Sequence, residues 1–469
     1  MEEHTNSFEE ESRLLAERYE KQADEDAPAY FESDEFEVII EHYLRIGNFR
    51  KALEVAELGC SQFPYAAIFM LKKAMLVSLL DSSYEESMQL LNQALIFEPT
   101  NPDIYEQMAV LHEDNGNTDE ALACYDQAIS YGGNIEDIIF AKAYIFEDNE
   151  KYKEAIFCLE EILIRDPQNF NAIYELAYCY DYLDQTEKSI ELYLKFIDFK
   201  PYSADAWFNV GLLYSRLEKY TEAIQAYEYA TFADKKYVSA YANMGQVYIL
   251  LEKFDMAISC LEEAIKIFPE NSSYYCQIAN CYKLTEQYED SRHFFRKAME
   301  LDDKNAEAWY GMGLSYFFED RLNQAMFYLK KSVALAPDQD NYWSNIGHCA
   351  LEMGELELCE QAYKKAYELG NEADSFEYLK DYVYALHLMD KYDEAIALVR
   401  EAIEEWDNHP HLLMMLAGLL YATGRLEQGD DLFELALGMD PKSYHVLFEY
   451  FEEQESNAHL WVLIGKYQA

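Results

Sequence analysis

The stretch that decides the architecture is residues 204–271, which read ADAWFNVGLLYSRLEKYTEAIQAYEYATFADKKY over 204–237 and VSAYANMGQVYILLEKFDMAISCLEEAIKIFPEN over 238–271. Laid one under the other, the two segments agree in kind at the same places: Val210 with Met244, Gly211 with Gly245, Tyr214 with Tyr248, Ala223 with Ala257, Tyr227 with Leu261, and Ala230 with Ala264. Small residues alternate with bulky apolar ones at helical spacing. Each segment is therefore expected to form two antiparallel amphipathic helices. A fixed period of this size signals a repeat array.

The period extends in both directions. Pro64, Pro99, Pro167, Pro201, Pro269, Pro337 and Pro441 are separated by 34 residues, by multiples of 34, or by values within a few residues of those. With this proline as position 32, units start at residues 33, 68, 102, 136, 170, 204, 238, 272, 306, 340, 376 and 410. Position 20 is then Ala52, Ser87, Ala121, Ala155, Ser189, Ala223, Ala257, Ser291, Ala325, Cys359, Ala395 and Gly429. All are small, as two helices in close contact require. Trp207, Trp309 and Trp343 recur at position 4, and Tyr180, Tyr214, Tyr248, Tyr282 and Tyr316 at position 11. Ordering the backbone costs about 1–2 kcal/mol per residue, more than the burial within one unit offsets, so the units are expected to fold only as a stack.

This pattern resembles the tetratricopeptide repeat. Trp207, Val210, Gly211, Tyr214, Ala223, Tyr227 and Ala230 match its signature, with Lys235 where the proline belongs. The resemblance covers twelve units over residues 33–443 and implies an all-α, right-handed α-solenoid, a superhelix of helix-turn-helix repeats. Residues 1–32 are expected to be an acidic segment, a short helix capped by Ser7 and Glu10 and then a disordered Asp24-Glu25-Asp26 stretch. Residues 444–469 are expected to form helices that cap repeat twelve.

Charge and composition narrow the function. The formal net charge is -52, which repels phosphate backbones and disfavours nucleic acid. A hydrophobic fraction of 50% argues against disorder. The longest apolar run, Leu412–Ala422, is too short to span a membrane. The start, Met-Glu-Glu-His, carries no secretory pattern, and nine cysteines then point to reduced thiols and a cytoplasmic protein. Cys124, Cys158 and Cys260 share position 23, and Cys179, Cys281 and Cys349 share position 10, as small hydrophobes in register do. His409 and His411 lack the further ligands of a zinc site. His348 and His387 fall on inner faces with no partner carboxylate in view. No phosphate loop or nucleophile motif occurs, so neither an enzyme, a metal nor a cofactor is expected.

In the family the first helices line a concave groove, with positions 2, 5, 6, 9, 12 and 13 facing it. Carried over, position 6 holds Asn209, Asn243, Gln277 and Asn345, interrupted by Gly311. Amides carry both donor and acceptor, which suits a peptide backbone of any sequence. This row resembles the asparagine ladder in the repeats of the O-linked N-acetylglucosamine transferases. A second zone joins Phe140, Tyr144, Tyr174, Tyr178 and Phe208 to Glu106, Glu113, Asp114, Glu147, Asp148 and Asp181, a setting for Lys or Arg; core packing is the competing account of its aromatics. A third, apolar zone holds Tyr310, Leu314, Phe317 and Phe318. The family's carboxylate clamp is not matched, since Lys72 stands alone at its position. The expectation is a non-enzymatic adaptor, monomeric or weakly homo-oligomeric, that holds an extended, basic polypeptide. The alternative is a structural component that self-associates through its end repeats, where Met414, Met415 and Tyr421 would lie exposed unless covered.

Overall fold

The computed structural model describes residues 2–24, 30–81, 83–370 and 375–467. All described elements are helices, and from Ser33 to Met439 they alternate as the first and second helices of twelve pairs. The chain is an all-α helical repeat protein. It divides into two compact units, Met1–Glu218 and Lys219–Ala469, with the division between the two helices of repeat six.

All twelve position-20 residues are buried, from Ala52 to Gly429. In the second unit the side chain at position 24 lies across the glycine at position 8. A Cβ on Gly245 would stand 3.0 Å from Leu261 Cγ, and one on Gly313 would stand 2.8 Å from Leu329 Cγ. Ser87 and Ser189 donate their buried hydroxyls to Ala74 O (2.9 Å) and Ala177 O (2.7 Å), which lets serine replace alanine in the seam.

A second regularity lies in the turn within each pair. Among the described residues, position 15 has positive φ in eleven units: glycine in four (Gly47, Gly116, Gly354, Gly424) and Glu or Asp in seven, from Glu150 to Asp390. In repeat seven Lys253 N–H reaches Tyr248 O and Glu252 N–H reaches Ile249 O, both at 2.9 Å. This is the Schellman closure, which wants glycine at the left-handed residue. A left-handed non-glycine residue costs about 1–2 kcal/mol, and glycine's greater freedom when unfolded returns about 0.5–1 kcal/mol of that. Glu252→Gly and Glu286→Gly should therefore each stabilise the protein by about 0.5–1 kcal/mol in a denaturant titration. A loss of stability would mean that the acids are held by contacts stronger than the strain.

The N-terminal helix, Glu2–Asp24, is longer than expected. Ser7 lies inside it rather than at its start, so the Ser7–Glu10 box does not begin the helix. It packs on repeat one: Ser12 and Ala16 are buried, the Arg18 guanidinium meets Glu35 at 2.8 Å and lies over Phe31, and Tyr43 donates to Glu20 at 3.1 Å. Glu25 and Asp26 lie outside the described residues.

At the other end the helix Pro410–Ala422 is followed by Leu426–Met439, then Tyr444–Tyr450, a 3-10 turn Glu452–Ser456, and Ala458–Tyr467. Met414 and Met415 are fully buried and Tyr421 nearly so. The chain itself covers the apolar run, which removes the observation that favoured self-association.

Candidate functional site

In the first unit the first helices of repeats three to six are Pro102–Asp114, Ile135–Asp148, Phe170–Tyr182 and Ala204–Arg216. Tyr144, Tyr174 and Tyr178 are 45%, 48% and 49% exposed, so these three are surface groups and not core. Phe140 and Phe208 are half-buried. Phe140 stacks on Tyr144 at 6.4 Å between ring centroids, and Tyr178 sits 6.4 Å from Tyr182.

Four carboxylates in the same groove columns are shifted by their surroundings. Burial first, then Asp114 and Asp148, hold Glu113 above the ordinary carboxylate range. Burial and the charges of Glu175 and Asp148 raise Glu147, against a hydrogen bond from Cys179 at 3.2 Å. Burial raises Glu175, although Tyr144 donates to it at 3.2 Å. Glu106 is raised by burial and by Asp103 and Asp137. The charges that act on Glu106, Glu113 and Glu147 are all negative, and Asp114 and Asp148 are exposed.

Asp181 departs from the expectation. It is paired with Arg216 and accepts a hydrogen bond from Thr186 at 2.9 Å, so its charge is already engaged. Tyr174, Tyr178, Asp181, Asn209, Leu212 and Arg216 line one open concavity. Lys72 likewise is paired with Glu41.

The amide row also divides. Asn209 belongs to the first unit, whereas Asn243, Gln277 and Asn345 belong to the second. Asn243 donates to Ser239 O of its own helix at 2.9 Å. Asn345 donates to Asn341 O at 2.8 Å and to Tyr310 Oη at 3.0 Å. Gln277 Nε2 reaches Ser273 at 3.5 Å, and its Oε1 is buried without a partner. Asn243 and Asn345 thus spend a donor within the protein, and the Gln277 acceptor is buried. Tyr310 stacks on Tyr342 at 4.1 Å, and burial pushes its hydroxyl up to about 12. Phe317 is half-buried beside the exposed Phe318.

Sequence reasoning missed several neighbours in the same columns. Glu175 is at position 6, Asn280 at position 9, donating to Glu307 at 3.0 Å, and Lys283 at position 12, where burial lowers its pKa. Reading every groove position in every unit would have found them. His348 and His387 do have carboxylates in view: Asp381 at 3.6 Å and Glu453 at 4.0 Å. His409 Nδ1 accepts from His411 N–H at 3.3 Å, so this pair caps the helix Pro410–Ala422. Burial holds Cys260, Cys281 and Cys349 at about 11, which leaves them protonated and unreactive at neutral pH.

Comparison with known proteins agrees with this register at the units that start at 238, 272, 306 and 340. Tetratricopeptide-repeat profiles match residues 90–123, 238–271, 272–305, 306–339, 340–370 and 386–450. The profile described as anaphase-promoting complex, cyclosome, subunit 3 matches residues 148–230. No curated protein matches the chain. Among solved structures, the chain is similar to the MamA protein at 25% identity and a TM-score of 0.33, over 37% of this chain and 94% of that one. It is similar to YrrB, described as a TPR protein with an unusual peptide-binding site, at 20% identity and a TM-score of 0.35, over 42% and 97%. It is also similar to the APC/C hetero-tetramer Cut9-Hcn1, at 14% identity and a TM-score of 0.39, over 89% and 95%.

Proposed function

This chain is a tetratricopeptide-repeat protein of twelve tandem units, and on that premise we propose that it is a non-enzymatic scaffold whose first unit holds an extended, basic polypeptide. The observation that carries this reading is the set of carboxylates Glu106, Glu113, Glu147 and Glu175, all raised by burial and the first three also by neighbouring acids, beside three half-exposed tyrosines. A lysine or arginine side chain would relieve that repulsion and lie against the rings. The profile match over 148–230 to a subunit of a large assembly accords with a protein partner. A reducing compartment such as the cytoplasm fits nine free cysteines, seven of them buried. Among the described residues no helix is long and apolar enough to cross a membrane.

The test is fluorescence anisotropy with a lysine-rich peptide and its glutamate counterpart. Only the basic peptide should bind, and less tightly as salt shortens the Debye length below about 10 Å. Equal binding of both peptides would sink the proposal.

In the second unit we assign Asn243, Gln277 and Asn345 to the backbone of a bound peptide. Replacing all three by alanine should weaken peptide binding to this unit by about tenfold, at roughly 0.5–1.5 kcal/mol for each hydrogen bond lost, with little change in melting. Wild-type affinity in the triple variant would remove the amide row from the site.

A further inference from the structure

The C-terminal segment does more than close the last repeat. By register, the first helix of repeat eleven, Ser375–Leu388, carries Asp381, Tyr384 and His387 at positions 6, 9 and 12, and Pro410–Ala422 carries Gly418 at position 9. These are groove columns, yet the chain's own residues lie on them. Phe451 is 1% exposed, and a Cβ on Gly418 would run into its ring. The same ring sits 4.6 Å from that of His387. Tyr450 meets Tyr384 edge-on at 5.6 Å, and Glu453 Oε1 stands 4.0 Å from His387 Nε2.

The fit is apolar rather than complete. His387 Nδ1 is buried with no hydrogen-bond partner. Glu453 approaches the ring only at the limit of an ion pair. The resident segment therefore holds the pocket with one polar group unmet, which weakens its hold and leaves it open to displacement.

We propose that the groove of repeats eleven and twelve is a peptide site for an aromatic residue followed two positions later by an acidic one, filled in cis by Phe451 and Glu453. A partner carrying the same element takes the site in trans by displacing the chain's own copy. The chemistry is opposite in sign to that of the first unit, so this site and the basic-peptide site stand or fall separately.

The probe is a fluorescent synthetic peptide of residues 444–457, titrated into the full chain. Phe451→Ala should open the site and raise the peptide's apparent affinity by roughly tenfold or more over wild type, because a plugged groove is competent for only a small fraction of the time. A peptide with alanine in place of both its phenylalanine at 451 and its glutamate at 453 should not bind either protein. No gain in the variant would overturn the proposal. Since Phe451→Ala also thins the core, hydrogen exchange on the wild-type chain provides the second measurement. Amides of residues 450–457 should exchange faster than those of Pro410–Ala422, and faster still with excess peptide. If both segments exchange in step, with or without peptide, the segment is a core element and the proposal fails.

Discussion

Replacing Glu113, Glu147 and Glu175 together by glutamine should cost a lysine-rich peptide roughly a hundredfold in affinity while raising the protein's melting temperature. The loss follows from three charge-assisted contacts, each worth about 1 kcal/mol once solvent screening is allowed for, at about 1.4 kcal/mol per tenfold. The gain follows from the raised carboxyls. A carboxyl whose pKa is higher folded than unfolded binds protons more readily in the folded state. Its stabilising contribution is complete below the ordinary carboxylate value and is lost as pH climbs through the raised one. Burial opposes the ionised form of all three, and neighbouring acids oppose that of Glu113 and Glu147; glutamine removes that cost while still accepting hydrogen bonds from Tyr144 and Cys179. The wild-type melting temperature should therefore fall between mildly acidic and neutral pH, and the variant's should fall less. Peptide titrations and thermal melts over that range read both effects. A variant that lost affinity and also melted lower would show these carboxylates to be structural.

The divergence between affinity and stability explains what the sequence could and could not disclose. Register was legible because each repeat puts the same demand on the same position: a helix seam at position 20 admits only small side chains, whatever the neighbours. The left-handed turn at position 15 was half legible. Gly47, Gly116, Gly354 and Gly424 announce it, but Glu252 and Asp320 adopt it because the flanking helices impose it. The groove columns were legible as positions, while the state of each polar group was not. Asp181 is engaged by Arg216 on the next first helix, and Asn345 by Tyr310 on the preceding one, and no property of a single column predicts such a pair. Residues 444–467 obey no repeat period, so the placement of Phe451 against Gly418 and His387 had no sequence signal beyond its hydrophobicity.

Gly311, where the amide row breaks, should be the least tolerant groove position in the second unit. Repeats seven and nine have glycine at position 8, and Leu261 and Leu329 lie across it. Repeat eight has Ala279 there, and its position-24 ring, Phe295, sits instead against Gly311 of the next repeat. A Cβ at 311 would fall inside 3.0 Å of three carbons of that fully buried ring. In an open helix, glycine to alanine gains up to about 1 kcal/mol, as Gly465→Ala should, since nothing lies within 4 Å of its Cβ. At 311 the overpacking term of about 1–3 kcal/mol opposes and exceeds that gain, so Gly311→Ala should destabilise. The loss should appear as reduced amide protection centred on repeats eight and nine. Phe295→Leu should cost stability alone yet recover part of it in the Gly311→Ala background, and that coupling is what a double-mutant cycle measures. Additive effects would mean that the ring does not hold position 311 to glycine. The break in the row would then reflect the bound peptide, with Tyr310 Oη, already bonded to Asn345, serving as the missing rung.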